Sequence, residues 1–308
     1  MNNDQKYSVV GCRITRDELR CQVGPIEKMV VAITGFTEDG TETFEEAEQR
    51  WIERGYRVLL LNLPEHESML SLSLARPFRW PKILEAQLME IYEENDRHPF
   101  HIAGFSVGGL LMAHMWHAKE DLVRKIFVVN PAFRVNSLLT GLLIPALIAY
   151  YALFIVGSLG TALAATLAAS GVMSWDSVAI LPLAFLLAFL MRFLRVPKSL
   201  SPVPAYRHEN PATGKTVLHP SIPIVVASQL LLLQWRFHLC RKKNAVHLKP
   251  LLVVSGSEDW VVPPESYLPW AIDLRAVIVA IEAGRHNVLI DHWQEIVGHF
   301  DKFFPPAK

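Results

Sequence analysis

The sequence predicts an α/β fold, a mostly parallel central sheet with helices on both faces and a large apolar helical insertion before the last strands. Three observations lead there. Continuous apolar runs alternate with stretches of helical periodicity from Lys28 to Asn130, as expected of parallel strands covered on both faces. The alternation stops at Pro131 and resumes at Leu248. The interval between them carries no charge from Arg134 to Asp176, and none again from Asp176 to Arg192.

Each element follows in order. Tyr7 to Cys12 and Leu19 to Val23 read as short strands around the polar turn Thr15-Arg16-Asp17-Glu18. Lys28 to Thr34 is a buried strand, and Thr43 to Arg54 an amphipathic helix ended by Gly55. Tyr56 to Leu63 is the next strand, and Trp80 to Asn95 the next helix. Pro99 to Ala103 is a strand, Gly109 to Lys119 a helix with its apolar residues on one face, and Val123 to Asn130 a strand. After the insertion come a strand over Leu248 to Ser255, a helix around Glu265 to Ile272, a strand over Ala276 to Ile281 and a closing helix from Asp291 to Phe304. Within the insertion, Ile222 to Trp235 reads as a helix returning to the sheet.

Composition removes several function classes. The 308 residues include 30 basic and 30 acidic side chains, so the one-signed field of a nucleic-acid binder is missing. Cys12, Cys21 and Cys240 form no C-x-x-C pair, which argues against a disulfide framework or a zinc site and for a reducing, cytoplasmic location. The start MNNDQKYSVV lacks the basic and apolar regions of a secretory signal. His114 and His117 have helical spacing but no third ligand, so they read as surface and packing residues rather than a metal site.

The chemistry concentrates at Gly104-Phe105-Ser106-Val107-Gly108, between a strand and a helix. A serine hydroxyl is a weak nucleophile unless a base takes its proton and the backbone holds it exposed. A sharp strand-to-helix bend does the second job, and Gly104 and Gly108 remove the side chains that would collide there. The same bend puts the Val107 N–H at a helix start, ready to hold a developing oxyanion. His286, in the loop after the last apolar strand, is the best-placed base. Asp259, just after the strand ending at Ser255, is the acid that orients it, with Glu258 a neighbouring competitor and an Asx-turn a compatible second role. Residues 1–130 and 248–308 then form the catalytic domain and residues 131–247 the cap.

GFT, ERGYRVLLLNLPEHE, AGFSVGGLLMA, SGSEDWVVP and GRHNVLID, in that order, resemble the landmarks of the α/β-hydrolase superfamily. Within it they are most similar to bacterial carboxylesterases and monoacylglycerol lipases. The resemblance implies Ser106 as nucleophile, His286 as base, Asp259 as orienting acid and the amides of Phe36 and Val107 as oxyanion hole. It implies no cofactor. Two landmarks depart from the family pattern: Thr34 stands where a histidine is usual, and Pro64-Glu65-His66-Glu67 where Pro-Gly-His-Gly is usual. A serine at the bend disfavours epoxide hydrolases and dehalogenases, which use a carboxylate. An ester or lipid hydrolase is expected; an acyltransferase or thioesterase with the same three residues, and a non-catalytic membrane-bound binding module, are the alternatives.

The uncharged stretches Leu138 to Met173 and Val178 to Leu194 exceed the length needed to cross a bilayer. Membrane association through residues 138–194, on the cytoplasmic face, is the expectation, since Arg134 precedes the insertion and Arg192, Arg195 and Lys198 follow it. Three arrangements fit: a spanning hairpin turning at Ser174 to Ser177 or near Gly157 to Gly160, a cap dipping into one leaflet, or a soluble cap lining an acyl pocket. Because Ser106 lies before the insertion and His286 after it, only an even number of crossings is possible.

Overall fold

The computed structural model describes residues 8–9, 25, 27–35, 43–63, 75–134, 137–172, 174, 182–194, 207–209, 216–218, 223–240 and 249–306. The strands are β1 (Ser8–Val9), β2 (Met29–Ile33), β3 (Arg57–Asn62), β4 (Phe100–Phe105), β5 (Val123–Val129), β6 (Arg207–Glu209), β7 (Thr216–Leu218), β8 (Leu251–Gly256) and β9 (Val277–Ile281). The helices are α1 (Glu45–Glu53), α2 (Trp80–Glu94), α3 (Val107–Ala118), α4 (Ser137–Ala169), α5 (Pro182–Met191), α6 (Ile224–Cys240), α7 (Leu268–Asp273), α8 (Val288–Asp291) and α9 (Trp293–Phe303).

Seven strands form one sheet in the order β1-β3-β2-β4-β5-β8-β9, every neighbouring pair parallel. The chain is an α/β-hydrolase fold. The sequence strand over Leu19 to Val23 and most of that over Tyr7 to Cys12 lie outside the described residues.

Strand periodicity decides which face each residue serves. Val30 and Ala32, Val58 and Leu60, Ala103 and Phe105, Phe127 and Val129, Leu252 and Val254, and Val279 and Ile281 all point into one buried cluster with α1 and α9. Its aromatic centre is Trp51, 5.2 Å from Phe300, which is 5.0 Å from Phe304. Asp301 on α9 pairs with Arg50 on α1 and with Arg54 just after it, fixing both helices over that face.

The chain divides into two compact units, one of residues 1–68, 78–136 and 233–308, the other of residues 69–77 and 137–232. The division falls within α6, which runs five residues past the predicted Trp235.

In the second unit α4 is one continuous helix of 33 residues with Pro145 inside it. The possible turn near Gly157 to Gly160 is absent. Gly157 instead serves close packing: a Cβ there would sit 3.3 Å from both Ala184 Cβ and the Phe185 ring of α5. Tyr150 packs in a cluster with Ala188 while Phe154 meets Phe185, so the two helices run antiparallel. Gly171, at φ 73°, ends α4: its N–H bonds the Ala168 carbonyl and the Val172 N–H the Leu167 carbonyl, a glycine helix stop. The insertion is not wholly helical, since β6 and β7 pair as a short antiparallel hairpin.

Candidate active site

The site is built where parallel strands end. Open α/β sheets carry ligands outside the C-terminal strand edge, and Ser106, Asp259 and His286 all follow such ends, those of β4, β8 and β9.

Ser106 connects β4 to α3 at φ 52° and ψ −116°, a strained conformation for a residue with a side chain. The bend closes only without side chains on either flank. A Cβ on Gly104 would lie 2.5 Å from the Gly108 carbonyl oxygen, and one on Gly108 would overlap the Ile33 and Thr34 carbonyls. Val107 is the first residue of α3, where an amide has no intrahelical acceptor. Gly35 brings the end of β2 against the serine, since a Cβ there would lie 3.2 Å from Ser106 Cβ. Phe36, the other oxyanion-hole candidate, lies outside the described residues, as does Pro64-Glu65-His66-Glu67. Thr34 is buried, its N–H donated to the Leu61 carbonyl.

The three side chains form one hydrogen-bonded line. His286 Nε2 is 3.0 Å from Ser106 Oγ and its Nδ1 is 2.7 Å from Asp259 Oδ2. With Nδ1–H donating to the carboxylate, Nε2 offers its lone pair to the serine O–H. Asp259 is buried, and its other oxygen accepts the N–H groups of Val261 and Val262, both at 3.0 Å. One carboxylate therefore pins its own loop and orients the imidazole. Glu258 is exposed and contributes its backbone N–H to the Gly284 carbonyl. The Phe105 ring packs on His286 with centroids 5.1 Å apart.

Asn130, which sequence reasoning treated as the end of a strand, holds the imidazole's loop. Its Nδ2 donates to the His286 carbonyl at 2.7 Å and to that of Arg285 at 3.3 Å. Its Oδ1 accepts the Gly256 N–H at 3.0 Å and the Tyr267 hydroxyl at 3.1 Å. Two donors and two acceptors are thus used in full. The residue sits at φ 41°, a left-handed conformation that asparagine tolerates better than most side chains. Burial pushes the Tyr267 phenol upward, so it remains a proton donor.

His114 and His117 lie on α3, away from this line. His117 is buried and accepts the Trp270 indole N–H at 3.1 Å, and burial holds His114 below its usual range. Among the described residues no cluster of His, Cys, Asp or Glu is arranged to hold a metal.

A parallel sheet with a serine at a strand-to-helix bend, a histidine and a buried aspartate defines a class of fold used for acyl chemistry. The chain belongs to the alpha/beta hydrolase fold family, whose family model matches residues 28–292. No curated protein matches it significantly. Among solved structures it is similar to a metagenome-derived lipolytic enzyme described with LipS and LipT, at 14% identity and a TM-score of 0.58 over 93% of this chain and 100% of that one. It is also similar to the monoacylglycerol lipase of Paleococcus ferrophilus, at 16% identity and a TM-score of 0.54 over 93% of this chain and 97% of that one. A soluble variant of the Saccharomyces cerevisiae monoglyceride lipase matches at 14% identity and a TM-score of 0.58, over 97% of this chain and 88% of the other. At these identities the likeness is one of fold.

Proposed function

We propose that this protein is a serine carboxylester hydrolase of the monoacylglycerol-lipase kind, cleaving apolar acyl esters through an acyl-enzyme on Ser106. The observation that carries the reading is the unbroken line from Ser106 Oγ through His286 to Asp259. Ser106 Oγ attacks the ester carbonyl carbon as His286 Nε2 takes its proton, and the C=O electron pair moves onto oxygen. That oxyanion rests on the Val107 amide and, as the family resemblance implies, on that of Phe36. Collapse expels the alcohol, which leaves with the proton from the imidazolium. Water, deprotonated by His286, then attacks the acyl-serine, and the carboxylic acid departs as Ser106 regains its proton. Asp259 keeps its charge throughout and stabilises the imidazolium.

The lipid-like substrate is supported by the apolar residues 138–194, which would hold the enzyme to a membrane on its cytoplasmic face. The likeness in fold to two monoacylglycerol lipases favours the same substrate class.

The deciding experiment is covalent labelling with a fluorophosphonate. Wild type should label at Ser106 and Ser106→Ala should not; an unlabelled wild type would reject the reading. A rate series over p-nitrophenyl esters should rise from acetate toward longer acyl chains, and more steeply with vesicles present.

A further inference from the structure

We propose that α4 and the return segment containing α5 form a hairpin that crosses the whole bilayer, returning the chain to the side it left. The proposal goes beyond ester hydrolysis and does not depend on it.

The surface comes first. Thr140–Ala169 has a mean hydropathy of 2.2 over its most apolar window, only 17% of which is buried. A helix apolar on all sides belongs in a protein core or in lipid, and this one is not in a core. Its packed stripe is narrow, comprising Leu143, Tyr150, Gly157, Ala164 and Ala168. Ile148, Leu159 and Leu163 are each more than 60% exposed, and Leu183, Leu186 and Leu190 continue the surface on α5.

Hydrogen bonding points the same way. The hydroxyls of Ser158, Thr161, Thr166 and Ser170 turn back onto the carbonyls of Phe154, Gly157, Ala162 and Leu167, at 2.8, 2.6, 2.9 and 3.0 Å. Each of these donors is satisfied within its own helix, which is what a medium without water requires.

Length and the ends of the hairpin decide between crossing and dipping. At the near end the Arg192 Nε–H donates to the Tyr150 hydroxyl at 3.0 Å, and its guanidinium lies over that ring, a buried polar anchor. From Tyr150 to the end of α4 is about 30 Å at the helical rise, the thickness of the hydrocarbon core. The far end is Gly171, Val172 and Ser174, and the next residues in sequence are Trp175 and Asp176. Halted at the midplane, the hairpin would leave the last α4 carbonyls and an aspartate in hydrocarbon, where both are unfavourable. Carried across, it delivers the indole and the carboxylate to the far headgroups, where both are favourable. The uncharged run back is interrupted only by the anchored Arg192 before Arg195. Ser106 and His286 are hydrogen-bonded to each other, so the chain's two flanks share one side and two crossings satisfy the topology.

The test uses full-length protein synthesised cell-free beside sealed phosphatidylcholine/phosphatidylglycerol vesicles, in a Cys12→Ser, Cys21→Ser, Cys240→Ser background. Single cysteines are introduced as Ser174→Cys, Val172→Cys and, on the first unit, Arg97→Cys. All three proteins should float with the vesicles and resist alkaline carbonate. Arg97→Cys should react at once with an impermeant maleimide, whereas the two tip cysteines should react only after a pore-forming toxin opens the vesicles. Tip cysteines that react without the toxin, tip cysteines that stay blocked after it, or protein that fails to float would each overturn the proposal. None of these readouts involves Ser106, so a failure here leaves the hydrolase assignment standing.

Discussion

Strand β2, Met29-Val30-Val31-Ala32-Ile33, and the middle of α4 are built from the same kinds of side chain, yet every β2 residue is fully buried while Ile148, Leu159 and Leu163 face outward. The strand has hydrogen-bonded neighbours on both edges and helices over both faces. Among the described residues α4 packs along one stripe against α5, and at Tyr150 also against α6. In the sheet unit apolar surface is consumed by folding, whereas on α4 and α5 much of it stays exposed. Polar groups follow the same division. Asp259 is held by its own loop and by His286, and Asn130 by segments 126 or more residues away, while the hydroxyls of Ser158, Thr161 and Thr166 turn back onto their own helix.

This contrast predicts that the two regions fail independently. The largest effect should come from the sheet unit: Ser106→Ala, or Asp259→Asn, which keeps the Oδ1 acceptor for Val261 and Val262, should lower kcat on p-nitrophenyl butyrate by about 10⁴-fold or more. Vesicle flotation of either variant should be unchanged. A loss of flotation would show the regions to be coupled.

Leu159→Arg with Leu163→Arg tests the other half. Each arginine on the lipid face costs about 3 kcal/mol, so the membrane-bound fraction should collapse by about 10⁴-fold. Turnover of a short water-soluble ester should stay at the wild-type rate.

Asn130→Ala should be intermediate. The loop carrying His286 would lose two side-chain donors, and a small misplacement of a catalytic base costs about 10²-fold. The loss should appear in kcat with KM little changed, and an equal loss in both would mean that the residue shapes the substrate site instead.

The smallest effect concerns His101 on β4, whose pKa is lowered to about 3 by burial, then by Lys125, Arg124 and Lys28. Among the described residues its Nδ1 has no hydrogen-bond partner. The unfolded chain takes up this proton near pH 6.5 and the folded one only near pH 3, so folding stability is full above the first value. It should fall by at most about 1.4 kcal/mol per pH unit between them. His101→Phe should flatten that part of a urea-denaturation pH profile; an unaltered slope would assign the acid lability to other groups.

Much of the sheet was legible because a strand covered on both faces leaves a continuous apolar run, as at β2, β4, β5 and β8. Ser106, Asp259 and His286 were legible for a related reason: each must follow a strand end, and the sequence marks those ends. Asn130 was not, because its side-chain partners lie 126 to 156 residues further along the chain. Gly157 misled in the opposite direction, since a glycine beside a serine resembles a turn until the Phe185 ring is seen to need the space. The β6–β7 pair lies in a stretch without the alternating apolar pattern that identifies longer strands. The closing helix read over Asp291 to Phe304 corresponds to α9, and the single turn of α8 before it was too short to leave a periodic pattern.

Ser106 and His286 are 180 residues apart, with the whole apolar stretch between them. During synthesis the serine leaves the ribosome first, the apolar segment next, and the imidazole only after both. A half-made chain therefore holds the serine without the imidazole that completes its hydrogen-bonded line. The line is completed last, once α9 has docked on α1 and the final loop brings His286 to Ser106.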